Sequence, residues 1–277
     1  MYFASHLTET FQQPIGNTQA ISEIDMLYHD VISNLDQETQ IPTDVISSFK
    51  VNQELCPAVF SKGRLNSSIR EQLLQISKDF FKDVKLSGKI QIQDIHLVGS
   101  LANYNWSKFS DFDLHIILDF KSIGNQELVT DYFKTQRFLW NEIHDIKLHG
   151  FPVEIYIQDS SETNHSGGIY SILNNTWLKE PERNHISIDK QTVSTKIHGL
   201  FNQLKKIKHH YENQDFNAVL ARAEPLRDKI YTYRKAGLEA NGETGTENVI
   251  FKILRRTSFM DYLNSILIKA YDKATSI

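Results

Sequence analysis

The chain has 277 residues, of which 40% are hydrophobic and 23% charged, a composition typical of a folded protein and unlike that of a disordered or fibrous one. A single cysteine, Cys56, excludes an internal disulfide framework and a zinc finger built on cysteines. The formal net charge of −4 excludes a protein that binds nucleic acid through bulk positive charge.

The first residues carry no basic segment followed by an apolar core, so they do not resemble a secretion signal. No apolar stretch approaches the roughly 20 residues that a membrane helix needs. We therefore expect a soluble, cytoplasmic protein without a membrane partner.

Residues 1–60 show one amphipathic pattern, over 21–35, in which Leu27 and Val31 recur at helical spacing. Prolines 42 and 57 then interrupt the chain. This region carries a net charge of −7, and we interpret it as an N-terminal appendage without an assigned chemistry.

A helix and three strands follow in a compact order. The helix begins at Asn66 or Ser67 and ends at Ser87-Gly88, and a second helix precedes the last strand. The strands are predicted at 91–100, 111–120 and 150–159, and the second helix at 126–147. This order predicts an α/β core over 61–165.

Residues 166–277 are predicted as a linker and a helical C-terminal domain. Residues 160–168 have the composition of a loop, and a short strand or turn follows. Helical patterns cover 196–211, 217–235 and 249–271. Pro225 either lies near the start of the second of these helices or kinks it, and Thr244 to Glu247 fits a capping box before the third.

Three acidic residues stand on the predicted strands. Side chains alternate along a strand, so Asp111 and Asp113 share one face, and Glu154 lies on the third strand. If the two strands are neighbours, the three carboxylates meet within a few ångströms. Such a cluster of anions requires divalent cations, and hard oxygen ligands favour Mg²⁺ or Mn²⁺.

The string VGSLANYNWSKFSDFDLHIILDF resembles the signature of the DNA polymerase β-like nucleotidyltransferase superfamily: an apolar strand, Gly-Ser, a short helix, then Asp-x-Asp in the next strand. It looks most like small nucleotidyltransferase-domain proteins encoded by bacteriophages, which implies location in the host cytoplasm. The resemblance covers residues 66–160. It implies a small mixed sheet flanked by helices, followed by an all-helical domain.

The resemblance also implies an activity: transfer of a nucleoside monophosphate from an NTP, such as ATP, to an acceptor, with release of pyrophosphate. Two Mg²⁺ or Mn²⁺ ions would be held by Asp111, Asp113 and Glu154. Gly99 would let the backbone approach the phosphates, and Ser100 would contact the β- and γ-phosphates. The acceptor, whether RNA, protein or a small molecule, is not specified by the sequence.

Several basic and aromatic residues each have two possible roles. Lys108, in the loop before Asp111, and the pair Lys252 and Arg256 on a helical stripe are candidates for contacts with the triphosphate. A solvated surface explains each of them equally simply. Tyr104 and Trp106 are more easily explained by packing than by stacking on a base.

Two further functions stay open. The first is a catalytically silent scaffold with the same fold that binds protein or nucleic acid. The second is an adenylylating toxin or anti-host factor, which has the same chemistry with a protein or tRNA acceptor.

Overall fold

The computed structural model describes residues 25–31, 41–84, 90–183, 188–242 and 245–276. These residues form two units: one spans Ser47–Ile186, and the other combines the described residues of Met1–Ile46 and Ser187–Ile277. The first unit is mixed α/β and the second is helical. The predicted class, an α/β fold with a helical C-terminal region, is confirmed at this level.

Two short helices, α1 over 25–31 and α2 at Thr43–Ser47, precede the sheet. The prediction of a helix over 21–35 is confirmed for residues 25–31. The other residues of that range lie outside the described ones. The α/β unit then contains β1 (Phe60–Ser61), β2 (Arg64–Leu65), α3 (Ser67–Asp83), β3 (Ile92–Val98), β4 (Phe112–Leu118), α4 (Phe120–Ile123), α5 (Gln126–Ile143), β5 (Lys147–Leu148), β6 (Phe151–Asp159), β7 (Ile169–Ser171) and β8 (Thr176–Lys179).

Six strands form one mixed sheet in the order β5-β6-β4-β3-β7-β8. Strands β4 and β6 are parallel, and the other neighbours are antiparallel. A parallel pair requires a crossover, which α4 and α5 supply between the two strands. The sheet therefore places its second and third predicted strands side by side.

The core lies on one face of this sheet. Phe112, Leu114 and Ile116 of β4 are completely buried there, because alternate residues of a strand point to the same side. Helices α3 and α5 cover this face, and the rings of Phe80 and Trp140 meet edge to face at 5.5 Å between centroids. The opposite face of the same strands carries the polar residues.

The helix predicted over 126–147 ends earlier than expected. It stops at Ile143, and Lys147–Leu148 pair with β6 in a hairpin. His149 and Gly150 make the turn with φ of 50° and 85°, the left-handed pair that suits tight hairpins. The predicted strand or turn after residue 168 is two strands, β7 and β8. The predicted end of α3 at Ser87-Gly88 lies outside the described residues.

The helical unit contains α6 (Lys190–Glu212), α7 (Phe216–Asn241), α8 (Thr246–Arg256) and α9 (Phe259–Thr275). Pro225 lies inside α7. The single helix predicted over 249–271 is wrong: Ser258 adopts φ 57°, which ends α8 and starts α9. The predicted capping residue Thr244 is outside the described residues, and Gly245 caps α8 without a side-chain bond. Among the described residues, no helix is long and apolar enough to span a membrane.

The buried strand β4 makes stability depend on its side chains. We expect Leu114→Ala to lower the free energy of unfolding by about 2–5 kcal/mol, because it leaves a cavity in a close-packed core. Urea unfolding measures this change. Leu128→Ala, at a side chain that is 70% exposed, is the matched control and should change it by less than about 0.5 kcal/mol. Equal losses in both variants would contradict the assignment of the core.

Candidate functional site

The three predicted acids come together at one end of the β4–β6 pair. Asp113 lies directly opposite Glu154 in the parallel register, and Asp111 immediately precedes β4. One carboxylate oxygen from each residue lies within 4.8 Å of the other two. Asp111 and Asp113 are half-buried and Glu154 is exposed, so the cluster opens to solvent on the side of Glu154. The expectation that the two strands are neighbours is confirmed.

Gly99 follows β3 and touches this cluster with its backbone. Its φ is +73°, and a Cβ built on it would lie 1.8 Å from Oδ2 of Asp113. Such a distance is far below any contact that two atoms tolerate, so only glycine fits beside the carboxylate. The main chain of the Gly99-Ser100 turn consequently lies directly against the acidic cluster.

A chain of serines fixes this turn to the segment that carries Asp111. The Ser100 hydroxyl donates to Oγ of Ser110 at 2.8 Å, and Ser110 Oγ accepts the Ser107 N–H at 2.9 Å. Ser107 and Ser110 are buried. No motif in the sequence marks these two serines; the position of Ser110 immediately before Asp111 is the only signal. The short helix expected after Gly-Ser is absent, since residues 99–105 form turns.

A second loop packs against the same turn. A Cβ on Gly168 would lie 2.0 Å from the carbonyl oxygen of Ala102, so this backbone contact also depends on glycine. The Gly99 N–H donates a long hydrogen bond of 3.4 Å to Oγ of Ser166. The residues of this stretch predict only a loop, because its contacts depend on the pairing of β7 with β3.

The predicted basic contacts belong to both units. Lys108 is exposed in the loop before Asp111, with Nζ 4.9 Å from the centroid of the Phe109 ring. Lys252 and Arg256 lie one turn apart on α8 of the helical unit. The structure therefore brings Gly99 into contact with the cluster, while contacts between these three cations and a nucleotide stay predictions.

The aromatic residues of the turn are held by protein contacts. Trp106 donates its Nε1–H to the Glu54 carbonyl at 2.9 Å. The guanidinium of Arg183 lies 4.7 Å from the centroid of the Tyr104 ring. These contacts support the packing role that sequence analysis favoured for both rings.

A row of polar residues crosses four strands, two residues further along β4 and β6 than Asp113 and Glu154. Ser171, His96, His115 and Tyr156 are successive partners across β7, β3, β4 and β6. His115 and Tyr156 follow Asp113 and Glu154 by two residues, so they share the face of the acidic cluster. No local pattern in the sequence marks this row, because it exists only once the strand order is known.

Burial and hydrogen bonds set the protonation of His115 in this row and of Asp94 beside it. Burial lowers the pKa of His115, and a 2.8 Å bond between Nδ1 and Gln158 Oε1 only partly offsets that effect. Burial raises the pKa of Asp94, but bonds from His96, Ser171 and the Ile95 N–H outweigh it, so the pKa of this carboxyl is lowered. Near neutral pH His115 is therefore neutral and Asp94 is ionised.

Comparison with protein-family models, curated proteins and solved structures finds no match for this chain. The functional reading therefore depends on the geometry of the site and on the residues of the signature.

The contact between Gly99 and Asp113 can be tested with a matched pair of glycines. We expect Gly99→Ala to weaken Mn²⁺ binding, measured by electron paramagnetic resonance, because the new methyl displaces the Asp113 carboxylate. Gly63→Ala is the control: its φ is +75°, but its Cβ would meet no atom within 4 Å. That variant carries only the backbone strain, about 1–2 kcal/mol, and should bind Mn²⁺ normally. Equal Mn²⁺ binding in both variants would contradict the role of the contact.

The half-buried His115 predicts a pH dependence of stability. The pKa of His115 is lower in the folded protein than its usual value of 6.5, so protonation favours the unfolded chain. Its contribution is constant above that pH, and stability falls as the pH drops below it. We expect His115→Asn to reduce this loss between pH 7.5 and 5.5 in urea unfolding. His165→Asn, at an exposed histidine, should keep the wild-type slope; an unchanged slope in His115→Asn would refute the prediction.

Proposed function

We propose that the chain is a metal-dependent nucleotidyltransferase of the DNA polymerase β-like superfamily. It transfers a nucleoside monophosphate from an NTP to an acceptor and releases pyrophosphate. The observation that carries this proposal is the cluster of Asp111, Asp113 and Glu154 within 4.8 Å, with the Gly99 backbone against it. A carboxylate cluster beside a glycine turn combines ligands for cations with backbone groups for phosphate oxygens.

The donor set fits Mg²⁺ or Mn²⁺. All three ligands are carboxylates, the hard oxygen donors that these ions prefer. They come from β4, from the residue before it and from the adjacent strand β6. Like charges about 4 Å apart repel by about 1 kcal/mol in water and by about 4 kcal/mol near a protein surface. A bound dication removes this repulsion, which supports the proposed site. Nothing in the donor set favours Zn²⁺, since it contains no sulfur or imidazole.

The residues of the site then have separate tasks. Asp111, Asp113 and Glu154 hold the metal, which when bound supplies positive charge to an in-line displacement at the α-phosphorus. In the described part of the chain the Ser100 N–H makes no hydrogen bond, so it is available to donate to a phosphate oxygen. Gly99 allows that oxygen to approach the main chain.

The transfer requires one group that accepts the proton of the acceptor hydroxyl. The acceptor oxygen forms a bond to the α-phosphorus while the bond from that phosphorus to the bridging oxygen breaks, and pyrophosphate leaves. Glu154 is the exposed member of the cluster, so it is the carboxylate that an acceptor hydroxyl reaches and the group that takes its proton. Lys108, in the loop before Asp111, is proposed to contact the triphosphate.

The direct test measures pyrophosphate release from each of the four NTPs with Mg²⁺ or Mn²⁺ and RNA, protein or small-molecule acceptors. We expect Asp111→Asn and Asp113→Asn to lower the rate by at least about 100-fold. Mutation of a residue that only hydrogen-bonds a metal ligand already lowers metal affinity or activity by about 10–100-fold, and these two residues are proposed to be ligands themselves. Asp131→Asn, at an exposed residue of α5, makes the same change of charge and should keep full activity.

Two results would contradict the proposal. Release that persists unchanged in Asp113→Asn would exclude this site as the catalytic one. Mn²⁺ binding that depends on the cluster, without transfer to any acceptor, would instead favour the catalytically silent scaffold.

A further inference from the structure

The helical unit contains an apolar cavity of about 340 Å³ between α6, α7 and α8. Its apolar lining consists of Leu200, Ile230, Ile250, Phe251 and Leu254. The last four are buried even though they face the cavity, so its walls are set by the packing of the three helices. The volume lies at the lower end of the range for small-ligand pockets, about 300–1,000 Å³, which suits one short chain or a single ring.

A cationic cleft of about 280 Å³ lies between α6 and α7. Lys206, Arg222 and Lys229 line it, and none of the three forms an ion pair with any residue the structure describes. Neighbouring cations on the same helices do have acidic partners: Lys208 pairs with Glu212, and Arg227 with Asp228. The cleft is therefore a local excess of positive charge, not a general property of these helices.

The cavity and the cleft adjoin, because Gln203 and Lys229 line both. The other polar groups of the cavity are already accounted for. Lys196 contacts the hydroxyl and the ring of Tyr233. Glu247 packs against Gly237, about 12 Å along α7 from Lys229 at 1.5 Å per residue, so this acid lies at the end away from the cleft.

We propose that the cavity and the cleft together bind a small amphipathic phosphate monoester. Its apolar chain or ring occupies the cavity, and its phosphate lies among Lys206, Arg222 and Lys229. Three cations that form no ion pair within the described ranges match a dianionic phosphate better than a singly charged carboxylate. This site lies wholly within the helical unit and does not depend on the proposed nucleotidyltransferase activity.

Isothermal titration calorimetry of the full chain tests both halves of the proposal. The probes are hexyl and octyl phosphate, octanol, octanoate and inorganic phosphate, all below their micellar concentrations. We expect octyl phosphate to bind more tightly than the other four. Each added methylene that enters the cavity should strengthen binding about fourfold.

Matched variants locate the apolar half. Gly199 lines the cavity, and a Cβ on it would meet no atom within 4 Å. Gly199→Leu places a larger side chain there, and we expect it to weaken octyl phosphate binding by at least about tenfold. Gly199→Ala is the control, because alanine favours the helix and should preserve binding.

Charge variants locate the phosphate. We expect the double variant Lys206→Gln, Arg222→Gln to weaken octyl phosphate binding by about tenfold and to leave octanol binding unchanged, because both residues line only the cleft. Lys235→Gln removes an exposed lysine of α7 that lines neither the cavity nor the cleft, and should have no effect.

Each remaining outcome would overturn the proposal. If octanol bound as tightly as octyl phosphate, the cleft would make no contribution to binding. If hexyl and octyl phosphate bound no more tightly than inorganic phosphate, the cavity would make no contribution to binding. Octanoate binding as tightly as octyl phosphate would refute the assignment of the phosphate, and absence of binding by any probe would refute the site altogether.

Discussion

The parallel pairing of β4 with β6 is the constraint on which the site depends. It sets Asp113 opposite Glu154 and brings Asp111 beside them. A shift of one residue in this register would turn Glu154 toward the core and Ile155 toward the acids. The register is protected because alternate residues of both strands, among them Leu114 and Ile155, are buried under the helices. Apolar packing on one face therefore fixes a polar cluster on the other.

The second constraint is steric and comes from Gly99. Because its Cβ position is occupied by the Asp113 carboxylate, the turn after β3 lies as close to the acids as a main chain can. The Ser100–Ser110 bond then links this turn to the residue that precedes Asp111. The cluster is thus surrounded by short, fixed contacts at the ends of strands, a placement that holds functional groups more accurately than a free loop.

The sequence predicts most accurately the features that depend on a local period of apolar residues. Alternation predicted β4 and β6, and it placed Asp111 and Asp113 on one face before any pairing was known. The prediction of a carboxylate cluster assumed that these two strands are neighbours. Only the fold shows that they are, and that they are parallel. The row of His96 and His115 depends on the antiparallel pairing of β3 with β4 and β7, so no local pattern predicts it.

The errors have local physical causes. The helix predicted over 126–147 extends beyond the observed end at Ile143 because Ile146 continues the helical spacing of apolar residues. The break at Ser258 carries no glycine or proline, so nothing in the residues around it marks a left-handed φ. The short helix expected after Gly99-Ser100 came from the family resemblance, and the turns found there instead are held by serines whose partners are ten or fewer residues away.

The account depends on whether the acidic cluster holds divalent cations. The most direct measurement is an anomalous difference map from crystals of the chain soaked with Mn²⁺ and an NTP that resists hydrolysis. The account predicts anomalous peaks at about 2.0–2.3 Å from the carboxylate oxygens of Asp111, Asp113 and Glu154, with triphosphate density beside the Gly99-Ser100 turn. Strong Mn²⁺ peaks elsewhere on the chain, with none at these three residues, would contradict it.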